Sequence, residues 1–246
     1  MSERLTPTND FFSEILRENL REYRKPDTSV ITISGLPGAG ATSTSQALAD
    51  ELSERYGVDV VLFSLSDEAR RLSRSFGGMK RSEFLRDPER VRAVDSAFIK
   101  TPLKAEHAKR IILGDGRNAG FDIAGLENAG RKYPIPLPFS SVKIYLHAQP
   151  DVRGSRKFLD AIRLGTTQPR DAIEDRIARQ IQDEENAFRL AYPTNHSLTP
   201  DNMGFLLEGR PIYDLRYSTD TSTPAQIAEK VAVHPLVKNL VANTRD

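Results

Sequence analysis

VITISGLPGAGATS, residues 30–43, is an apolar, β-branched run that breaks into a glycine-rich loop. Residues 30–33 predict a buried strand, and residues 43–55 predict a helix leading out of the loop. Between them, Gly35, Gly40 and Thr42 fit the spacing G-x-x-x-x-G-K-[ST], whose backbone N–H groups cradle phosphates. Ala41 stands where that pattern has its lysine. Strand, loop and helix in this order supply a tight curl, inward-facing N–H groups and the positive end of a helix. Gly35, Gly38, Ala39, Gly40, Ala41, Thr42 and Ser43 are therefore expected to hold the phosphates of ATP, with the Thr42 hydroxyl available to Mg²⁺. A turn that binds nothing could share the glycines, but it would not need the flanking strand, the helix and Thr42.

Composition narrows the function classes. The chain has 246 residues, 38% apolar and 28% charged, with a formal net charge of +1. That length suits one α/β domain with an ample core. A balanced charge gives no reason to expect a nucleic-acid or membrane-surface partner. Cysteine is absent, which excludes disulfides and thiolate metal sites. No apolar run approaches the roughly 18 residues of a membrane span. The first residues, MSERLTPTNDFF, lack a basic-then-apolar signal pattern, so the expected compartment is the cytoplasm. A monomer or a homodimer is expected, and the sequence does not choose between them.

Alternating elements follow along the chain. Residues 9–23 form an amphipathic pattern, with Phe11, Phe12, Ile15, Leu16 and Leu20 on one side and a break at Lys25-Pro26-Asp27. It reads as an added packing helix. Strands are expected at 58–63, 110–113, 142–147 and 212–217. Helices are expected at 67–76, ended by Gly77-Gly78, and over much of 81–109, with a break at Asp87-Pro88. Further helix is expected at 151–192 and 224–233, whereas 118–140, with Pro134, Pro136 and Pro138, reads as loop-rich. Strands separated by helices imply an α/β fold with a five-stranded parallel sheet and a site beyond its carboxyl edge. The expected division is an N-terminal helical extension, 1–27, and a phosphate-loop domain, 28–246.

Charged residues cluster at those strand ends. Strand two opens onto Ser64 and Asp67, with Arg70 and Arg71 one turn on. Strand three opens onto Asp115 and Arg117. After strand four come Arg153, Arg156, Arg163, Arg170, Arg176 and Arg179. Phosphoryl transfer is mostly positioning plus neutralisation of charge on the transferring oxygens, which such a ring of arginines can supply. Any single one of them could instead be a solvated helix face. Asp115 is the expected Mg²⁺ partner of Thr42, although Gly-Asp-Gly is also a turn signal. The four histidines show no ligand spacing.

ITISGLPGAGATS, SLSDEARRLS, GGMKRSEF, ILGDGRNAG, VKIYLHAQPDVR and IYDLRYSTDTSTP stand in the order found in cytidylate kinases. Over roughly residues 29–233 the chain resembles that family of P-loop nucleoside monophosphate kinases, most of all its archaeal type. The resemblance implies a P-loop NTPase fold with a monophosphate-binding segment at about 64–109 and a lid at about 148–192. It also implies ATP-dependent phosphorylation of CMP or dCMP. Position by position, Arg70, six residues after Ser64, resembles the arginine that grips the monophosphate. Asp95 resembles the acidic residue of the helix lining that site, and Arg117 the arginine of a G-R-D or G-R-L segment. Asn118 replaces the aspartate of that segment and could pair with a pyrimidine or ribose edge. In the lid, Arg179 and Asp183 keep a family-like spacing, and Asn186 stands where many members have another arginine. Arg117, Arg153 and Arg179 are the expected catalytic cations. Arg70, Arg117 and the arginine-bearing lid favour this kinase, and Ala41 and Asn186 favour the alternative, a nucleotide-binding pseudokinase with a regulatory or assembly role.

Overall fold

The computed structural model describes residues 7–19, 27–192, 206–207 and 210–245. Helix α1 (Pro7–Asn19) comes first, followed by strand β1 (Thr28–Gly35) and helix α2 (Ala41–Tyr56). Then come β2 (Val60–Ser64), α3 (Leu65–Ser75), α4 (Arg81–Phe84) and α5 (Pro88–Lys100). Strand β3 (Ile111–Asp115) leads to α6 (Ala119–Lys132), and β4 (Phe139–His147) to α7 (Pro150–Arg163) and α8 (Arg170–Ala191). A short antiparallel pair, β5 (Leu206–Leu207) and β6 (Arg210–Pro211), precedes β7 (Leu215–Ser218), α9 (Pro224–Ala232) and α10 (Pro235–Arg245).

The main sheet has five parallel strands in the order β2-β3-β1-β4-β7, as the alternation of elements predicts. Successive side chains of a strand face opposite ways. Val30 and Ile112 join one buried layer with α1, α5 and α6, while Ile31, Ile33, Ile111 and Leu113 join the other with α2, α9 and α10. The sheet is thus covered on both faces, which is why its central strands are rich in Val, Ile and Leu. Parallel strands place all their carboxyl ends on one edge, and the loop after β1 lies at the centre of that edge.

Helix α1 is a packing helix, as its amphipathic pattern indicates. Phe12, Ile15 and Leu16 are buried, and the Phe12 ring meets Phe121 and Tyr192 at centroid distances of 5.8 and 6.1 Å. Residues 20–23 of the expected helix, with Leu20, and the Lys25-Pro26 break lie outside the described residues.

Two expectations are corrected. Residues 118–140 are not loop-rich: α6 runs through them and is largely buried. Its glycines serve close packing, and a Cβ on Gly125 would collide with the Phe12 ring. The helix expected at 224–233 is also not the last element of the described residues. Helix α10 follows, burying Val237, Leu240, Val241 and Thr244 at helical spacing. The helical stretch expected at 151–192 is two helices, separated near Gly165, whose φ is +81°. Helix α5 starts where Asp87-Pro88 predicts: the Asp87 side chain accepts from Glu89 N at 2.9 Å, with proline in the first turn.

Candidate functional site

A cleft of about 810 Å³ opens at the carboxyl edge of the sheet. The loop after β1 forms one wall. Ala39 N donates to Leu36 O at 2.9 Å, closing a turn, and Thr44 N donates to Gly40 O at 2.9 Å, starting α2. Gly38 and Gly40 have φ of +88° and +90°, a left-handed region that other residues enter at about 1–2 kcal/mol. Gly35, Gly38, Ala39, Gly40, Ala41, Thr42 and Ser43 all line the cleft.

The loop's outer side is fastened from two directions. Arg156, on α7, donates from Nη1 to Gly38 O at 3.2 Å and to Thr219 Oγ1 at 2.9 Å, and from Nη2 to Thr219 O. Thr219 Oγ1 in turn donates to Ala39 O at 3.0 Å. These bonds occupy backbone carbonyls of the loop with donors.

Facing the loop are Ser64, Asp67 and Arg70 at the start of α3, with Asp115 and Arg117 after β3. Thr42 Oγ1 donates to Asp115 Oδ2 at 2.5 Å, and Ser64 also bonds this carboxyl group. Asp115 is 5% exposed, and burial raises its pKa above the usual carboxylate range. A hydroxyl beside a desolvated carboxylate is a hard-oxygen pair that fits Mg²⁺ completed by phosphate oxygens and water. Among the described residues, no group of three or more His, Cys, Asp or Glu could hold a metal by itself.

Six cations line the cleft, Arg70, Arg81, Arg117, Arg156, Lys157 and Arg176, against four carboxylates, Asp67, Asp115, Asp160 and Asp220. The surplus favours an anion. Arg70 is ion-paired with Asp67 on its own helix. Arg117 reaches from the end of β3 to α8, donating from Nη1 to Ile181 O at 3.3 Å.

The structure does not bring Arg153, Arg179 or Asp183 to the cleft. Arg153 is buried under the loop, where its Nε donates to Ala148 O at 3.1 Å. Its backbone is pressed so close that a Cβ on Gly38 would lie 2.8 Å from Arg153 O. One turn further along α7, Arg156 takes the rim instead. On α8, Arg176 lines the cleft, and Arg179 bonds its own helix backbone at Asp175 O. Asp183 accepts from Arg86 Nε and Nη2 at 3.0 and 2.7 Å, tying α8 to the turn before α5.

A second, smaller cavity of about 60 Å³ adjoins the cleft, and Arg81 and Arg117 line both. Leu65, Ala69, Leu85, Val91 and Val94 wall it, and Ser66, Asp95 and Asn118 join the two arginines as its polar side chains. Asp95 is 2% exposed and accepts from Tyr192 Oη at 2.8 Å and from the Asn118 side chain. Burial pushes its carboxyl up to about 7, with both hydrogen bonds pulling the other way. Behind it Asp122 is fully buried, and desolvation together with the Asp95 charge raises it well above the usual range. Sequence reasoning missed Asp122, hidden in the supposed loop, and Tyr192, which reads only as a helix boundary.

A raised carboxylate stabilises the fold fully only below its unfolded pKa of about 4, and that contribution is lost as pH rises through about 7. Asp95→Asn, which cannot ionise, should therefore gain stability over the parent at pH 8, by up to about 4 kcal/mol, and little at pH 4. Urea denaturation at the two pH values measures it. An equal difference at both would show that Asp95 does not titrate in this range.

No family model and no curated protein matches the sequence. Solved structures do match the fold. A candidate kinase from Chloroflexus aurantiacus is 20% identical, with 89% of this chain and 98% of that chain covered and a TM-score of 0.50. The tunicamycin resistance protein of Deinococcus radiodurans is 16% identical over 85% of this chain and 94% of that one, with a TM-score of 0.46. The Mycobacterium tuberculosis APS kinase, solved with AMPPNP and APS, is 14% identical over 84% and 96%, with a TM-score of 0.43. Identities this low speak to fold alone. With a parallel sheet flanked by helices and a glycine loop after its central strand, the chain has the α/β architecture of P-loop kinases.

Proposed function

We propose that the protein transfers the γ-phosphoryl group of ATP to the phosphate of a nucleoside monophosphate, with CMP or dCMP as the acceptor. The continuity of the cleft carries this reading. One wall is the phosphate loop, the facing wall carries Arg70 and Arg117, and beyond them lies a pocket with apolar walls and a polar end at Asp95 and Asn118. A donor phosphate and an acceptor phosphate can therefore be held face to face, and holding reactants in line is most of what this reaction requires.

In this reading the loop N–H groups bind the β- and γ-phosphates of ATP. Thr42 and Asp115 hold Mg²⁺, which when bound neutralises charge on those phosphates. Arg70 and Arg117 grip the acceptor phosphate through forked donors. Ala41 brings no cation, so the charge that the usual lysine would supply must come from outside the loop. Arg117 and Arg176 line the cleft and are assigned that role, and Arg156 positions the loop. Arg156 and Arg176 thus replace Arg153 and Arg179 in the expected set.

The direct test incubates the protein with ATP, Mg²⁺ and a panel of nucleoside monophosphates and measures ADP. CMP or dCMP should give the fastest turnover. Ala41 itself favours a second reading, a nucleotide-binding pseudokinase with a regulatory or assembly role, and ATP binding without ADP on any acceptor would support it.

Ala41→Lys separates the two further. In an active kinase the added cation should keep kcat or raise it by up to about tenfold, the equivalent of one charge-assisted contact. A fall in kcat with ATP affinity retained would mean that cations from α7 and α8 already fill that space.

A further inference from the structure

Helix α7 forms part of the wall around the phosphate loop. Residues three and four apart share one face of a helix, so Arg153, Arg156, Lys157 and Asp160 make a single stripe. The stripe begins beneath the loop, where a Cβ on Gly38 would lie 2.8 Å from Arg153 O. It continues to Arg156, whose Nη1 donates to Gly38 O at 3.2 Å. The start of the helix is tied as well, since Gln149 N donates to Asp220 Oδ1 at 2.7 Å. Lys157 and Asp160 come next on the stripe, and both line the cleft. The helix therefore holds Lys157 at a set place beside the loop.

Among the described residues, Lys157 is the one lysine lining the cleft. Arg70, Arg117 and Arg156 each bond another group of the protein, and Arg176 donates from Nη1 to Gln168 Oε1 at 3.3 Å. Lys157 meets Asp160 at 3.6 Å, with its side chain 39% exposed. An exposed pair within one helix is weak and exchanges readily for a stronger anion. Asp160 Oδ1 also lies 4.0 Å from Arg163 Nη1, so the carboxylate keeps a cation when Lys157 leaves it. Lysine is a compact charge on a flexible stem, which suits it to follow a phosphate through a reaction.

We propose that Lys157, carried to the loop by α7, meets the γ-phosphate of ATP in place of the lysine missing at Ala41. The inference rests on the reading of ATP bound at the loop and deepens it. Arg117 and Arg176 spread charge over the cleft, and Lys157 makes the contact. The methyl group of Ala41 leaves room at the loop for a side chain arriving from α7. In the transfer, the bond from the γ-phosphorus to its bridging oxygen breaks and the electron pair stays on ADP. A bond forms to an oxygen of the acceptor phosphate. Lys157 gives up no proton, and its charge offsets the negative charge on the bridging and transferring oxygens.

The experiment is calorimetric titration of the full chain with Mg²⁺ and no acceptor. The two ligands are ADP and an ATP analogue with nitrogen bridging its β- and γ-phosphates. Lys157→Ala should weaken the analogue about tenfold or more and ADP less than about threefold, at an unchanged melting temperature. Lys157→Gln, which keeps the stem and drops the charge, should match it. Ala41→Lys in the Lys157→Ala background should restore the difference between the two ligands, because the charge returns from the loop itself. A lysine that only supported α7 could not be replaced in that way. Equal losses for both ligands, no loss for either, or no restoration by Ala41→Lys would overturn the assignment. Turnover is measured apart: a parent that binds the analogue yet forms no ADP from ATP with any monophosphate loses the transfer reading, while the two affinities still decide Lys157.

Discussion

Gly40→Val is expected to abolish ATP binding while leaving the protein folded. Gly40 stands at φ +90°, immediately before α2. An L residue pays about 1–2 kcal/mol there, and a β-branched one more. The larger effect is steric and falls on the ligand. The nearest protein atom to a Cβ at this position, beyond its chain neighbours, is Thr44 Oγ1 at 4.0 Å, so the Cβ itself has room. It enters the mouth of the loop, where backbone must approach phosphate. Affinity for ATP should fall on the order of 100-fold or more, equivalent to about 3 kcal/mol. Gly38→Ala is the contrasting variant. Its φ is +88° and its Cβ would sit 2.8 Å from Arg153 O, so it should lower the melting temperature as well as the affinity. Calorimetry and thermal melts together separate the two cases. Unchanged ATP affinity in Gly40→Val would remove the phosphate cradle.

What the sequence revealed and what it hid follow from the range of the interactions involved. The phosphate loop is local: Gly35, Gly38, Gly40 and Thr42 carry their geometry in their own spacing, and the structure curls there as expected. The edge strands β2 and β7 are only partly covered, whereas the inner strands β1 and β3, and most of β4, are buried on both faces, so their Val, Ile and Leu residues announce them. Helix α6 did not, because glycine lowers helix propensity and signals loops. Its glycine at position 125 answers to the Phe12 ring, over a hundred residues away in the chain, and no local reading contains that contact. The arginines after strand four show the same limit. Composition places six of them in one segment, but only packing decides which face the cleft. Helix α7 lies so tightly on the loop that Arg153 is trapped beneath it, and Arg156 reaches its rim. Helix α10 was legible in principle, since Val237, Leu240, Val241 and Thr244 keep a helical period.

Arg117→Ala should lower acceptor kcat/KM by roughly 30-fold or more and leave ATP affinity nearly unchanged. Arg117 lines both the cleft and the smaller pocket, where the two cavities meet. Truncating one partner of a buried, charged hydrogen bond typically costs about 2–5 kcal/mol, which sets that lower bound. Arg117→Lys should recover little of it. An ammonium is a point charge and cannot reproduce two parallel donors to a phosphate, nor hold the Ile181 carbonyl of α8 at the same time. Arg70→Ala should do less, because the Arg70 side chain is half exposed and already paired with Asp67, so its field is screened. The ordering matters as much as the size. If Arg70→Ala costs more than Arg117→Ala, the acceptor phosphate sits at the α3 end of the cleft and not between the two cavities. Measuring acceptor and ATP kinetics separately for each variant decides a further point. A loss of ATP affinity with acceptor use intact would move Arg117 to the donor half of the site.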